Sequence, residues 1–106
     1  MPIVSRFFGI IIRMFFEVSF MSMYWDVIEA RVLEHGRFWV KFADGLEGTV
    51  RMQPSSFRGV FQRLADPAFF QQLYVNHYFV TWPGELDLAP DAMHEQIKQS
   101  GEWVLS

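Results

Sequence analysis

Phe38, Val40 and Phe42 alternate with Trp39 and Lys41, and Leu46, Gly48, Val50 and Met52 alternate with Glu47, Thr49 and Arg51. A period of two sends successive side chains to opposite faces, so each run predicts a strand with one apolar face. Asp44-Gly45 between them is a strong hairpin signal. Upstream, Tyr24 to Leu33 carries Tyr, Trp, Val and Ile and predicts a long strand, with His35-Gly36 as the turn into Arg37. The three runs together predict an antiparallel meander.

After Met52 the period changes. Pro54-Ser55-Ser56 breaks the sheet. Phe57, Val60, Phe61 and Leu64 have the i, i+3, i+4, i+7 spacing of a short amphipathic helix. Asp66-Pro67 restarts helix, with Asp as N-cap and Pro at the first helical position, and Phe69 and Leu73 continue the apolar face. Asn76-His77 predicts a second hairpin turn, Tyr78 to Trp82 its return strand, and Pro83-Gly84 another turn. Pro90 to Gln99 predicts the last helix, with Asp91 and Lys98 placed to suit its dipole and Met93 and Ile97 as its buried stripe. Glu102 to Ser106 is expected to fray unless Trp103 docks. The expected class is α+β: a three-stranded antiparallel meander, a helix, a hairpin and a C-terminal helix, with an extra N-terminal strand segment.

That extra segment is the most apolar part of the chain. Ile10, Ile12, Met14, Phe16, Val18 and Phe20 alternate with Arg13, Glu17 and Ser19. Phe8, Ile11, Ile12, Phe15 and Phe16 also fit helical spacing, but the β-branched and aromatic content favours a strand. Arg13 and Glu17 interrupt the run too early for a membrane span, and no small-residue cleavage site follows it. The expected organisation is an N-terminal β segment over 1–22 and one small domain over 23–106. No membrane partner is expected. An exposed apolar strand needs a sheet edge or a partner, which includes a homodimer through this strand.

Composition then narrows the chemistry. The 106 residues are 51% hydrophobic and 18% aromatic, enough apolar mass for a core without covalent staples. There is no Cys, which removes disulfides, thiolate metal sites and Cys nucleophiles. A reducing cytoplasm fits. The net charge of −3 disfavours non-specific nucleic-acid binding. Acidity is concentrated late: Glu85, Asp87, Asp91, Glu95 and Glu102 stand against Lys98 alone after residue 81.

No catalytic set emerges from the motifs. His35, His77 and His94 show no metal-ligand spacing, and the serines have no nucleophile context. Asp87, Asp91 and His94 are the best enzymatic combination, and it ranks below a turn and cap that seat the last helix. No cofactor, metal or catalytic residue is expected. Arg37, Lys41 and Arg51, with Trp39 and Thr49, could share the outer sheet face, where cationic and aromatic groups stack single-stranded bases. Glu47 and Asp26 dilute that face. The aromatic surplus points instead to a protein partner, with Trp25, Trp39 and Trp82 as anchors and Arg37 and Lys41 beside them.

A family resemblance adds to this. Met23-Tyr24-Trp25-Asp26-Val27, Trp39-Val40-Lys41-Phe42-Ala43-Asp44-Gly45-Leu46-Glu47-Gly48, Gly59-Val60-Phe61, Leu64, Asp66-Pro67, Phe69-Phe70, Val80-Thr81-Trp82-Pro83-Gly84 and Asp87-Leu88-Ala89-Pro90-Asp91 occur in that order. Across residues 23 to 97 the chain resembles the small bacterial domain-of-unknown-function family 2442. Met1 to Phe16 resembles the opening of another, domain-of-unknown-function family 4160, without the Pro-Pro-His-Phe-His segment that follows there. The resemblance implies a truncated head fused to a whole partner domain. Genes of the two families are often neighbours and suspected of forming a toxin–antitoxin-like module. The implied function is a non-enzymatic, antitoxin-like interaction domain that binds a protein encoded nearby. The alternative is a regulatory domain associated with nucleic acid or with a DNA-binding partner.

Overall fold

The computed structural model describes residues 23–106; the N-terminal β segment expected over 1–22 lies outside the described residues. Three strands, β1 (Val27–Glu34), β2 (Arg37–Phe42) and β3 (Glu47–Met52), run antiparallel in chain order. Their alternation is that of the sequence. Phe38, Val40, Phe42 and Val50 are fully buried on one face, while Trp39, Lys41 and Arg51 lie on the other. β1 starts later than its composition suggests. Met23 to Asp26 forms a turn closed by the Asp26 N–H donating to the Met23 carbonyl at 3.0 Å. The Asp26 carboxylate accepts the Met23 N–H at 2.9 Å and holds the turn from the other side. Ile28 and Leu33 are extra residues in the β1–β2 register, two bulges that leave both side chains exposed.

The segment expected as an amphipathic helix from Phe57 to Leu64 is instead a 3-10 helix, Gly59–Ala65. Three residues per turn stack Phe61 over Leu64 but rotate Val60 outward, so Leu64 is buried while Val60 is 70% exposed. The helix α1 (Pro67–Phe70) follows, capped as expected by the Asp66 carboxylate on the Ala68 N–H at 3.0 Å. Phe69 and Phe70 carry it into the core.

The second hairpin is part of a larger unit. β4 (Tyr74–Asn76), β5 (Phe79–Trp82) and β6 (Leu86–Leu88) form a separate three-stranded antiparallel sheet. Its first turn places His77 and Tyr78 at positive φ, the mirror-image turn that matches strand twist. After the Pro83-Gly84 turn comes β6, a strand not expected from sequence and too short to show a period.

The helix α2 (Pro90–Ser100) buries Met93, His94 and Ile97. Gly101 ends it in the left-handed region, with its N–H returning to the Ile97 carbonyl at 2.7 Å. The tail expected to fray is then a strand, β7 (Glu102–Leu105), lying parallel to β3 at the edge of the first sheet. Trp103 and Leu105 pack on the core, and the β3 ladder takes the backbone groups of this segment. The first sheet thus has the order β1-β2-β3-β7. Gly48 permits this arrangement: a Cβ there would meet Ile97 Cγ2 at 2.4 Å and the Gly101 carbonyl oxygen at 2.7 Å. No helix among the described residues is long and apolar enough to cross a membrane.

Candidate interaction surface

Among the described residues, the sheet has one face under the helices and one face open. Its register sets Arg31, Trp39 and Thr49 side by side, then Glu102 on β7. Glu29, Lys41 and Glu47 form the next row, and Arg37 and Arg51 lie opposite each other in a third. Trp39 is half-buried at the centre. Its indole N–H donates to Glu47 Oε1 at 3.2 Å, and the Arg31 guanidinium lies 4.6 Å from the ring centroid. Two side chains, one from the strand on either side, therefore hold the indole in one pose.

Glu102 organises the far side of the face. One carboxylate oxygen accepts the Thr49 hydroxyl at 2.9 Å and lies 3.5 Å from both Arg37 Nε and Arg51. Arg37 Nε is buried without a hydrogen bond among the described residues, so its link to Glu102 at 3.5 Å is one of charge proximity. The Thr49 hydroxyl, followed by the Arg51 and Arg37 charges, holds the Glu102 carboxyl below its ordinary range against the opposing effect of burial. Cations and carboxylates interleave over the whole face: Arg31, Arg37, Lys41 and Arg51 among Glu29, Glu34, Glu47 and Glu102.

The residues expected as contacts divide accordingly. Trp39, Arg37 and Lys41 share this open face. Trp25 is elsewhere, in the turn before β1, with its ring edge-on to Tyr24 at 4.8 Å. Trp82 is corrected outright: it is fully buried, edge-on to Phe38, and donates its indole N–H to the Phe70 carbonyl at 2.9 Å. Such a side chain anchors the core and offers no surface to a partner. Arg31 and Glu102 belong to the site but were not singled out from sequence. Alternation within β1 was a usable signal for Arg31, whereas Glu102 had none.

Asp87, Asp91 and His94 make separate contacts. His94 is buried and its Nε2 lies 2.7 Å from Asp44 in the β2–β3 turn, with Phe42 and Tyr24 edge-on to its ring at 4.8 and 4.9 Å. Asp91 accepts the Ala92 N–H, and Asp87 is exposed on β6. The Leu46 N–H, opposed by burial and helped by His94, holds the Asp44 carboxyl below its ordinary range. No group of three or more His, Asp or Glu suited to a metal occurs among the described residues.

A pH dependence follows from Asp44 and Glu102. A depressed carboxylate favours the ionised folded state. Its stabilisation is therefore complete above the unfolded pKa and is lost as pH falls through the folded one. Thermal melts should hold steady from neutrality down to about pH 5 and decline below about pH 4. Asp44→Asn should flatten part of that decline. An unchanged slope would show that the Asp44 contacts do not stabilise the fold.

Beside this face, a second surface feature lies at the outer side of β1. Val27, Ile28, Val75, His77 and Tyr78 line a groove of about 400 Å³. Ile28, Tyr74, Tyr78 and Phe79 expose 39–52% of their surface around the same hairpin.

The molecule is thus a small α+β domain of two sheets, with a charge-interleaved open face centred on one tryptophan. Residues 27–99 match the family described as "Protein of unknown function (DUF2442)", and the chain belongs to that family. No curated protein and no solved structure matches the chain. The resemblance of residues 1–16 to a second family falls outside both the matched span and the described residues.

Proposed function

We propose that this chain is a non-enzymatic, antitoxin-like interaction domain, and that its ligand is a protein encoded nearby. The observation that supports this is Trp39, held half-exposed at the centre of an open sheet face by Glu47 and Arg31. A Trp with an adjacent Arg, fixed before binding, loses little side-chain entropy on association and makes a strong anchor. The interleaved charges favour a protein surface of matching pattern over a polyanion. Arg37 and Arg51, the closest pair of cations in register, already face Glu102. Association with nucleic acid or with a DNA-binding partner is the lesser reading for that reason, and binding of the isolated chain to DNA or RNA at low salt would revive it.

Light scattering of the full chain with the product of the adjacent gene tests the proposal. The expected result is a stable hetero-complex, with Trp39→Ala weakening it about 30-fold, the scale of a hot-spot residue. A complex that ignores the Trp39→Ala change would remove this face from the interface. Absence of any complex would remove the reading itself.

A further inference from the structure

We infer that the Arg37–Arg51 pair seats one carboxylate of the protein partner, an Asp or Glu side chain about 7 Å from the apolar group that meets Trp39. The inference rests on the interaction reading above and adds the chemistry of the partner. Three observations lead to it.

The first is a charge imbalance set by the register. Arg37 and Arg51 stand directly opposite each other on β2 and β3, where like charges repel. One carboxylate, that of Glu102, serves both, so the cluster keeps a surplus of positive charge. Glu34 is opposite Arg37 on β1, but among the described residues it forms no ion pair with either arginine. Second, Glu102 leaves bonding capacity unused. Its carboxylate accepts the Thr49 hydroxyl at 2.9 Å and stands 3.5 Å from both guanidinium groups, beyond the usual charge-assisted range of about 2.7–2.9 Å. Arg37 Nε has no hydrogen bond among the described residues. The Arg37 and Arg51 side chains are 33% and 45% exposed, so a further carboxylate can reach them.

Third, the pair lies beside the anchor. Arg37 precedes Trp39 by two residues on the same face of β2, and Arg51 follows Thr49, the residue opposite Trp39, by two on β3. Two residues along a strand span about 7 Å. Val104, opposite Arg51 and 48% exposed, continues the apolar surface past the pair. A partner seated on Trp39 therefore covers both arginines. Covering surplus positive charge with apolar surface is costly, so the partner must bring a counter-charge to that spot. One carboxylate suffices, and the arginine fork suits it. A polyanion would carry further negative charge onto Glu29, Glu34 and Glu47 of the same face.

Isothermal titration calorimetry of the full chain with the product of the adjacent gene tests this. Arg37→Gln and Arg51→Gln should each weaken the complex about tenfold. Arg51→Lys should weaken it about threefold, because an ammonium keeps the charge but not the fork. The uncomplexed Arg51→Gln chain should melt within about 4 °C of the natural one, since relief of the opposed arginines offsets the lost contact with Glu102. A complex weakened by Trp39→Ala but indifferent to both Gln changes would overturn the carboxylate seat and leave the interaction reading standing. Absence of any complex would overturn both. A second measurement needs no variant. Acetate added to the uncomplexed chain, with ionic strength held constant by chloride, should shift the Arg37 and Arg51 Nε–H resonances at least about threefold more than that of Arg58, exposed at the start of the 3-10 helix. Equal shifts would count against the inference, as would a response to inorganic phosphate without one to acetate.

Discussion

Trp82→Ala is expected to destabilise the domain by about 3–5 kcal/mol, the usual range for removing a buried large aromatic. A domain of this size has about 5–15 kcal/mol in total, so the variant should be partly or wholly unfolded at 37 °C. The size of the effect follows from position. Trp82 ends β5 in the small sheet, yet its ring meets Phe38 of the large sheet and Phe70 of α1 at centroid distances of 5.9 and 5.6 Å. Its indole N–H also satisfies the Phe70 carbonyl, so truncation leaves both a cavity and an unpaired acceptor. Trp82→Phe separates the two effects. It keeps much of the ring but not the donor, and should cost about 1–3 kcal/mol. Urea unfolding followed by far-ultraviolet circular dichroism reads both variants. A Trp82→Ala loss under about 1 kcal/mol would mean that the two sheets do not share a core through this residue.

Gly48→Ala is the second large effect, expected at about 1–3 kcal/mol for an apparently mild change. The added methyl would overlap both the Ile97 side chain and the Gly101 carbonyl oxygen. Ile97 can adjust its rotamer, but the carbonyl is backbone and already accepts the Thr49 N–H at 3.2 Å. Relief therefore requires the end of α2 to move away from β3, and β7 follows α2 directly. The same displacement draws Glu102 from Thr49, Arg37 and Arg51. Two readouts should thus change together: a melting temperature lower by about 4–20 °C, and a weaker acid dependence from the Glu102 carboxylate. A destabilised variant with the Glu102 titration intact would show that the helix adjusts without moving β7.

Much of the large sheet was legible because its information is local. Phe38, Val40 and Phe42 alternate with polar or amphipathic neighbours, and Asp44-Gly45 supplies its own turn chemistry. Asp66 and Pro67 announce the start of α1 in two residues, and Met93 and Ile97 mark the buried side of α2. The open face was legible in part: Arg37, Trp39 and Lys41 fall on it by alternation alone. Which charges neutralise them was not, because Glu102 reaches Thr49 across 53 residues. Asp44 and His94, 50 residues apart, raise the same difficulty. Trp82 was misjudged as a contact because composition counts aromatics without saying which are enclosed.

By itself, then, the order of residues determined the meander, its apolar face, the α1 cap and the α2 stripe. Periodicity, turn chemistry and capping act over a few residues and leave a readable trace. Tertiary structure alone decided that Glu102–Leu105 becomes a strand, that Leu86–Leu88 completes a second sheet, and that Gly59–Ala65 winds as a 3-10 helix. Segments of three to seven residues carry too weak a preference to choose for themselves. Their conformation is set by the neighbours that satisfy their backbone groups and cover their side chains, and those neighbours are distant in the chain.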